Sequence, residues 1–427
     1  MKKFLTIATF VALAIPVGDI RAQTPTDTLR LVDVRSAALA RDARAAEIEL
    51  LAEQSRLRLQ SIDAERLPTL SAEGRAQYQS DVARVPITLP GVKIPTPPHD
   101  TYNAQLDAQQ RIYDPTLAPR RAAESAHLAE SQARVRTALY GLTETTNSAF
   151  YSALRSQEAI VQLETDVTDI EAQLQVAVAR VNAGTALPSE ANILRAELLR
   201  RRQLVDQQKA ARRAALAVLS DLTGKKLDTT ALLVAPDLDV QTQNARTRPE
   251  YEQFARSREA LERLDDARAA QDKPKVSAFG RVGYGRPGLN PLSDRFDSYW
   301  LGGVLVQWTP WTWGSTNRDR EVNALQRQIV NAEERAFTDA LDRATQQDLA
   351  NIDRLKTALA DDDQIVALRE KILAETRTRY GEAVITSAEY VDRQTDLLAA
   401  RLNRAIHRVE LSETHAHLLT TLGIEVH

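Results

Sequence analysis

The 427-residue sequence has no cysteine. That excludes disulfides, thiolate metal sites, cysteine nucleophiles and a lipid-modified N-terminal cysteine. It also lacks an excess of either charge: 55 basic and 58 acidic side chains leave a formal net charge of −3. Nothing in that balance points to nucleic acid as a partner. Long apolar runs are missing too. Mean hydropathy is −0.36, and beyond the N-terminus no stretch approaches the roughly 18 apolar residues of a spanning helix. No convergent set of acid, base and nucleophile motifs supports an enzyme, and no cofactor or metal set stands out. His415 and His417 are two apart, a spacing that does not share a helix face. What is present, 43% hydrophobic and 26% charged residues, suits a folded chain rather than a disordered one.

The first 22 residues stand apart. Lys2 and Lys3 precede an apolar run from Phe4 to Val17, and Ile20-Arg21-Ala22 offers a cleavage site. A basic start, a short apolar core and a small residue at the cut make residues 1–22 a secretory signal peptide; the run is short for a membrane anchor. An exported chain without disulfides depends on packing or assembly for stability.

The remainder reads as two copies of one unit. Arg180–Glu190 (RVNAGTALPSE) aligns with Arg379–Glu389 (RYGEAVITSAE) at an offset of 199. Arg202 meets Arg401 and Gly224 meets Gly423 at the same offset, and Pro68 meets Pro274 at 206. Repeat 1 spans 23–224, with a helix, a hairpin over 68–113, a long helix over 115–181 and a helix over 188–222. A linker covers 225–240. Repeat 2 spans 241–427, with a helix, a hairpin over 274–310, a long helix over 315–380 and a helix over 387–422.

In the first long helix Leu139, Thr146, Ala153, Ile160, Val167, Leu174 and Val181 recur every seven residues, with Leu163, Ile170 and Ala177 between them. That is a coiled-coil seam. The second long helix keeps the phase at Ile352, Leu359, Val366 and Leu373. Its companion stripe (Leu355, Asp362, Arg369, Thr376) is mostly polar and predicts a wetter neighbour. A helix of 67 residues is about 100 Å long and must pack lengthwise against others.

The hairpins alternate instead. Leu70, Ala72, Gly74, Ala76 and Tyr78 oppose Ser71, Glu73, Arg75, Gln77 and Gln79; Tyr102, Ala104, Leu106, Ala108 and Ile112 oppose Asn103, Gln105, Asp107, Gln109 and Arg111. Period two over about ten residues suits a membrane barrel, apolar to lipid and polar to a wet lumen. A soluble antiparallel sheet with one wet face gives the same pattern. Repeat 2 favours the barrel, because Trp300, Trp308, Trp311 and Trp313, with Tyr78 and Tyr102, sit at strand ends as membrane-interface aromatics do. The pore-lining candidates are Glu73, Arg75, Gln77, Asn103, Gln105 and Asp107. The first connecting loop holds Pro86, Pro90, Pro95, Pro97 and Pro98, which stop strand pairing.

This order of elements, with the two turn motifs, resembles the outer membrane efflux protein family (TolC-like outer membrane factors), in its non-lipidated branch. The resemblance implies a mixed, mainly α fold. Long coiled-coil helices form a periplasmic α-barrel, and four strands per protomer enter one trimeric twelve-stranded transmembrane β-barrel. It implies an outer-membrane exit duct of a tripartite efflux or type I secretion system, reaching into the periplasm. Implied partners are two further copies, outer-membrane lipid, a periplasmic adaptor (membrane fusion) protein and an inner-membrane pump of the RND, MFS or ABC type.

The turns are the only short breaks between the longest helices, so Arg180, Gly184, Thr185, Arg379, Val384 and Ile385 are expected at adaptor-contact tips. A plain helical hairpin turn is the competing reading. Glu389 and Asp392, three apart on one helix face, are expected to form an acidic periplasmic gate, held shut in similar proteins by the positions of Tyr380 and Glu190. Thr386-x-x-Glu389 also spells a capping box. Similar proteins carry R-Y-x-x-G at these turns, with an acid six residues after the glycine, and two departures stand out: Ala383 occupies the glycine position in repeat 2 and Val181 replaces the aromatic in repeat 1. Alanine resists left-handed backbone, which predicts a different second turn. Gly283-x-Gly285-x-x-Gly288 mimics a dinucleotide fingerprint, but Pro287 and Pro291 deny it the helix it needs. The alternative to a duct is an exported coiled-coil structural or periplasmic adaptor protein.

Overall fold

The computed structural model describes residues 28–83, 91, 96–238 and 247–425. The expected signal peptide, Pro86, Pro90, Pro95 and the last two linker positions lie outside the described residues. Four helices dominate: α3 (Leu117–Asn182), α4 (Pro188–Thr223), α6 (Ser315–Gly381) and α7 (Ser387–Leu422). Their sequences explain their limits. Pro188 occupies the first turn of α4, where its missing N–H costs nothing. Gly224 and Gly423 close α4 and α7 in the left-handed region, at φ 70° and 78°. No helix among the described residues is long and apolar enough to cross a membrane.

The shorter helices are α1 (Leu31–Arg41), α2 (Glu47–Ala64) and α5 (Pro249–Ala269). Where one helix was expected ahead of the first hairpin there are two. Asp42 leaves helical geometry, and its carboxylate accepts the Arg44 N–H at 2.9 Å, opening a 3₁₀ turn.

Strands β2 (Thr69–Tyr78), β3 (Asp100–Tyr113), β5 (Lys275–Arg286) and β6 (Asp297–Gln307) form one antiparallel sheet, in the order β2-β3-β5-β6. Both expected hairpins are therefore present and lie side by side. Gly283 and Gly285 lie within β5, and after Arg286 the chain turns into β6 without forming a helix.

The linker holds an element that strand patterning did not reveal. Leu232–Val234 (β4) pairs in parallel with Thr28–Arg30 (β1). On β4's other side the Gln157 amide acts as a surrogate strand, donating to Leu233 O at 3.0 Å and accepting Leu233 N–H at 3.1 Å. Leu29, Leu31, Val34, Phe150, Tyr151, Leu216, Leu219 and Leu233 pack there into the largest apolar cluster.

The long helices bury their heptad stripes, including Ala153, Ile160, Leu163, Ile170 and Ala177 of α3. The polar companion stripe of α6 corrects its expectation. Asp362 and Thr376 are buried, not wet. Asp362 faces His407 of α7 at 2.7 Å and Arg369 pairs with Asp396 at 2.6 Å, so α7 supplies polar partners where an apolar seam would have supplied packing.

Candidate functional site

The two ends of the molecule carry the candidate chemistry. At the sheet end, hydrogen-bond register aligns Glu73, Gln105, Gly283 and Tyr299 in one row across all four strands, with Arg75–Asn103 and Asp107–Arg281 in flanking rows. Gln105, 8% exposed, is the hub. Its amide donates to Glu73 at 3.2 Å and Asp107 at 2.9 Å, and its carbonyl accepts from Asn103 at 2.7 Å. Arg75 closes on Glu73 at 2.7 Å and Arg281 on Asp107 at 2.5 Å. The Tyr299 hydroxyl donates to Asn103 at 2.7 Å. Five of the six pore-lining candidates thus form one connected network, and Gln77 lies in the same alternation opposite Thr101. Sequence reading missed Arg281 and Tyr299. The signal was there, since each is one residue from the apolar face, next to Val282 and Trp300. Tyr299 lies flat because Gly283 leaves room: a Cβ there would come within 2.4 Å of its ring.

The opposite face is apolar and open to the surroundings, with Leu70, Leu106, Val282, Val304 and Val306 all exposed. Aromatics flank it at both ends. Tyr102 and Tyr284 stack on Phe296 at the loop end, at 6.2 and 5.6 Å, and Tyr78 lies over His99. Trp308 donates its indole N–H to Asp272 O at 3.0 Å at the helix end, where Trp311 and Trp313 meet edge to face. Trp300 stands two residues inside the loop-end row. From Ser298, opposite Tyr284, to Trp308 is ten residues. That is about 33 Å along a strand, or about 25 Å of height at a barrel's usual tilt, the thickness of an outer-membrane apolar band.

At the far end of the rods the two turns pack against each other. Their backbones match bond for bond: Gly184 N–H donates to Val181 O at 3.0 Å and Ala383 N–H to Tyr380 O at 3.1 Å, with Thr185→Arg180 and Val384→Arg379 both at 2.9 Å. Ala383 adopts φ 59° beside 71° for Gly184. The expected difference in turn shape is therefore absent; alanine is held left-handed, at a cost of about 1 kcal/mol.

First-repeat side chains finish the second-repeat turn. Arg180 donates to the last carbonyls of α6, Tyr380 O at 2.8 Å and Gly381 O, with its guanidinium 5.4 Å from the Tyr380 ring centroid. Glu190 accepts the Ser387 N–H at the start of α7 at 2.5 Å. Tyr380 is buried, bonds Ser387 Oγ at 2.8 Å and stacks on Tyr390 at 5.1 Å. The four residues expected at the gate are thus divided. Tyr380 and Glu190 join the two halves, whereas Glu389 and Asp392 stand exposed on the free face of α7. Thr386 Oγ1 accepts the Glu389 N–H at 3.3 Å, the N-cap half of the capping box. Gly184, Thr185, Arg379 and Val384 are exposed, and Ile385 is partly buried in the tip cluster.

Further along the helices sits a buried charged layer that sequence periodicity did not reveal. Arg201 Nε lies 3.0 Å from Asp166 and 2.8 Å from Glu197, and Nη2 donates to Thr395 of α7 at 2.8 Å. Burial pushes the Asp166 carboxyl up to about 6, against the opposing pull of Arg201.

This arrangement of long helical hairpins carrying a four-stranded sheet is the fold of the TolC-like outer membrane factors. The chain is similar over 92% of its length to three outer-membrane protein structures. They are the outer membrane protein VceC from Vibrio cholerae (14% identity, 96% of that chain, TM-score 0.68), the Campylobacter jejuni CmeC outer membrane channel (13%, 86%, 0.66) and the open-state MtrE outer membrane channel of Neisseria gonorrhoeae (17%, 89%, 0.67). No protein-family profile matches the sequence, and no curated protein does.

Proposed function

We propose that the chain is a duplicated protomer of a homotrimeric outer-membrane exit duct, passing substrate from an inner-membrane pump, through a periplasmic adaptor, to the exterior. The observation that carries this is the sheet: apolar with aromatic borders on one face, hydrogen-bonded and polar on the other, and open at both edges. β6 runs antiparallel to β2, so β6 of one copy can continue into β2 of the next and remove every edge. Two copies would make eight strands, an interior that side chains fill; three make twelve and leave an aqueous lumen. On this reading the tips, with Gly184, Thr185, Val384 and Ile385, meet the adaptor. Glu389 and Asp392 ring the axis as a cation-attracting constriction. A scaffold or adaptor protein would have no use for an exposed apolar sheet face of membrane height.

The test is location and orientation together. The protein should fractionate with the outer membrane as a heat-modifiable trimer. Cysteines at Gln77 and Gln105 should react with a water-soluble maleimide, and those at Ala76 and Ala104 should be shielded by lipid. Recovery as a soluble periplasmic species, or labelling on the opposite face, would refute the duct.

A further inference from the structure

The two turns are related by an offset of 199, so each contact made by repeat 1 on repeat 2 has a counterpart that repeat 2 would make on repeat 1 of a neighbouring copy. Inside one chain the seam has three components. Arg180 caps the α6 carbonyls beneath the Tyr380 ring, Glu190 caps the Ser387 N–H, and Tyr380 bonds Ser387. The counterpart donors and acceptors are Arg379 and Glu389, both exposed and, among the described residues, without a side-chain partner in their own chain. The counterpart receivers have changed. Val181 stands at the position of Tyr380 and Pro188 at that of Ser387. Valine offers neither ring nor hydroxyl, and proline has no N–H to give an acid. The carbonyls of Val181 and Asn182 remain, since any residue supplies them.

Resting on the ring reading above, we infer that Arg379 docks on the Val181 and Asn182 carbonyls of a neighbouring copy's α3. This single contact makes the seam between copies weaker than the seam within a chain. The aperture then widens by copies parting at the tip while each chain's two turns stay joined. Glu389, having no amide to cap across that seam, remains unpaired beside it.

Bilayer conductance tests this in variants whose ring assembly is followed by the heat-modifiable band. Arg379→Ala should raise conductance while the ring persists, and Arg379→Lys, which keeps a charge for the carbonyls, should raise it less. Supplying the missing receivers with Val181→Tyr and Pro188→Ser should lower the open fraction about fivefold for each restored cap. The closure supplied by Val181→Tyr should vanish when Arg379→Ala is added, and that supplied by Pro188→Ser when Glu389→Ala is added, because each receiver would have lost its own partner. If the larger tyrosine disturbs folding, Pro188→Ser alone serves, with Glu389→Ala as the change that should cancel its closure. Conductance unchanged in Arg379→Ala, or Val181→Tyr closure that persists without Arg379, would overturn the seam assignment while leaving the duct intact. Absence of any ring in the unaltered protein would instead overturn the duct.

Discussion

Asp166 shows what a periodicity reading of a helix leaves out. The heptad stripe of α3 is legible because apolar side chains repeat, but Asp166 lies off the stripe, and a carboxylate there reads as solvated. It is 6% exposed because Arg201 and Gln394, 2% and 1% exposed, arrive from two other helices. That convergence depends on tertiary geometry alone. Asp169 and Glu197 add like charge, and Tyr390 lies near on α7, so Arg201 is the cation that offsets the layer. A carboxyl raised from its ordinary 3.8 to about 6 binds its proton more tightly in the folded state. Its stabilising contribution is complete below the unfolded value and is lost as pH rises through about 6. Lowering the pH from 7 to 5 should therefore raise stability through this group by about 1 kcal/mol. Asp166→Asn should flatten that gain when thermal midpoints of the purified protein are compared at the two pH values. An unchanged difference would assign the pH response to other groups. Ala383 carries the opposite lesson: its identity predicted a different turn, yet Arg180 and Glu190 from the other half fix the backbone from outside.

The long elements were legible almost to the residue. Periods of seven and of two persist over many residues, and Pro188, Gly224 and Gly423 mark helix ends by fixed backbone rules. Short elements made by distant partners were not. β4 is three residues long and exists because β1 and the Gln157 amide, remote in sequence, complete its hydrogen bonds. Arg212 holds the arrangement by donating to Gln157 at 3.1 Å and to Ala231 O at 2.6 Å. Leu233 is 2% exposed, so losing Gln157 would strand a buried N–H and a buried carbonyl. Each orphaned group costs about 1–3 kcal/mol. Gln157→Leu, similar in volume, should release residues 225–238 to limited proteolysis at protease levels that leave the unaltered protein whole, with the long helices still protected. Equal resistance would mean that β1 alone anchors the segment.

At the scale of the molecule the unevenness between the halves matters most. α3 is flanked by α2 on one side and α5 on the other, whereas α6 packs on α5 and, among the described residues, has no second short helix packed along it. α6 exposes Val322, Leu325 and Ile329, 49%, 53% and 57%, the last at the rim of the groove it shares with α3 and α5. At the repeat offset these correspond to Ala123, Ala126 and Glu130 of α3, and Glu130 meets Ser257 of α5 at 2.9 Å. The missing cover for α6 is thus an α2-type helix. The chain's own α2 turns Leu50 and Leu57 outward, 68% and 50% exposed, on the side away from α3. On the proposed ring, apolar rows of this size on two complementary elements, in a chain with no cysteine to brace it, fit copies packing α2 against the neighbour's α6. Ile329→Asp and Leu57→Asp should each cut the heat-modifiable ring at least tenfold, since either buries an unpaired charge in that contact. Helix content by circular dichroism should hold, because both sites are surface positions of a single chain. Rings that form normally with aspartate at both positions would place the copy-to-copy contact on another face and leave the apolar side of α6 without this partner.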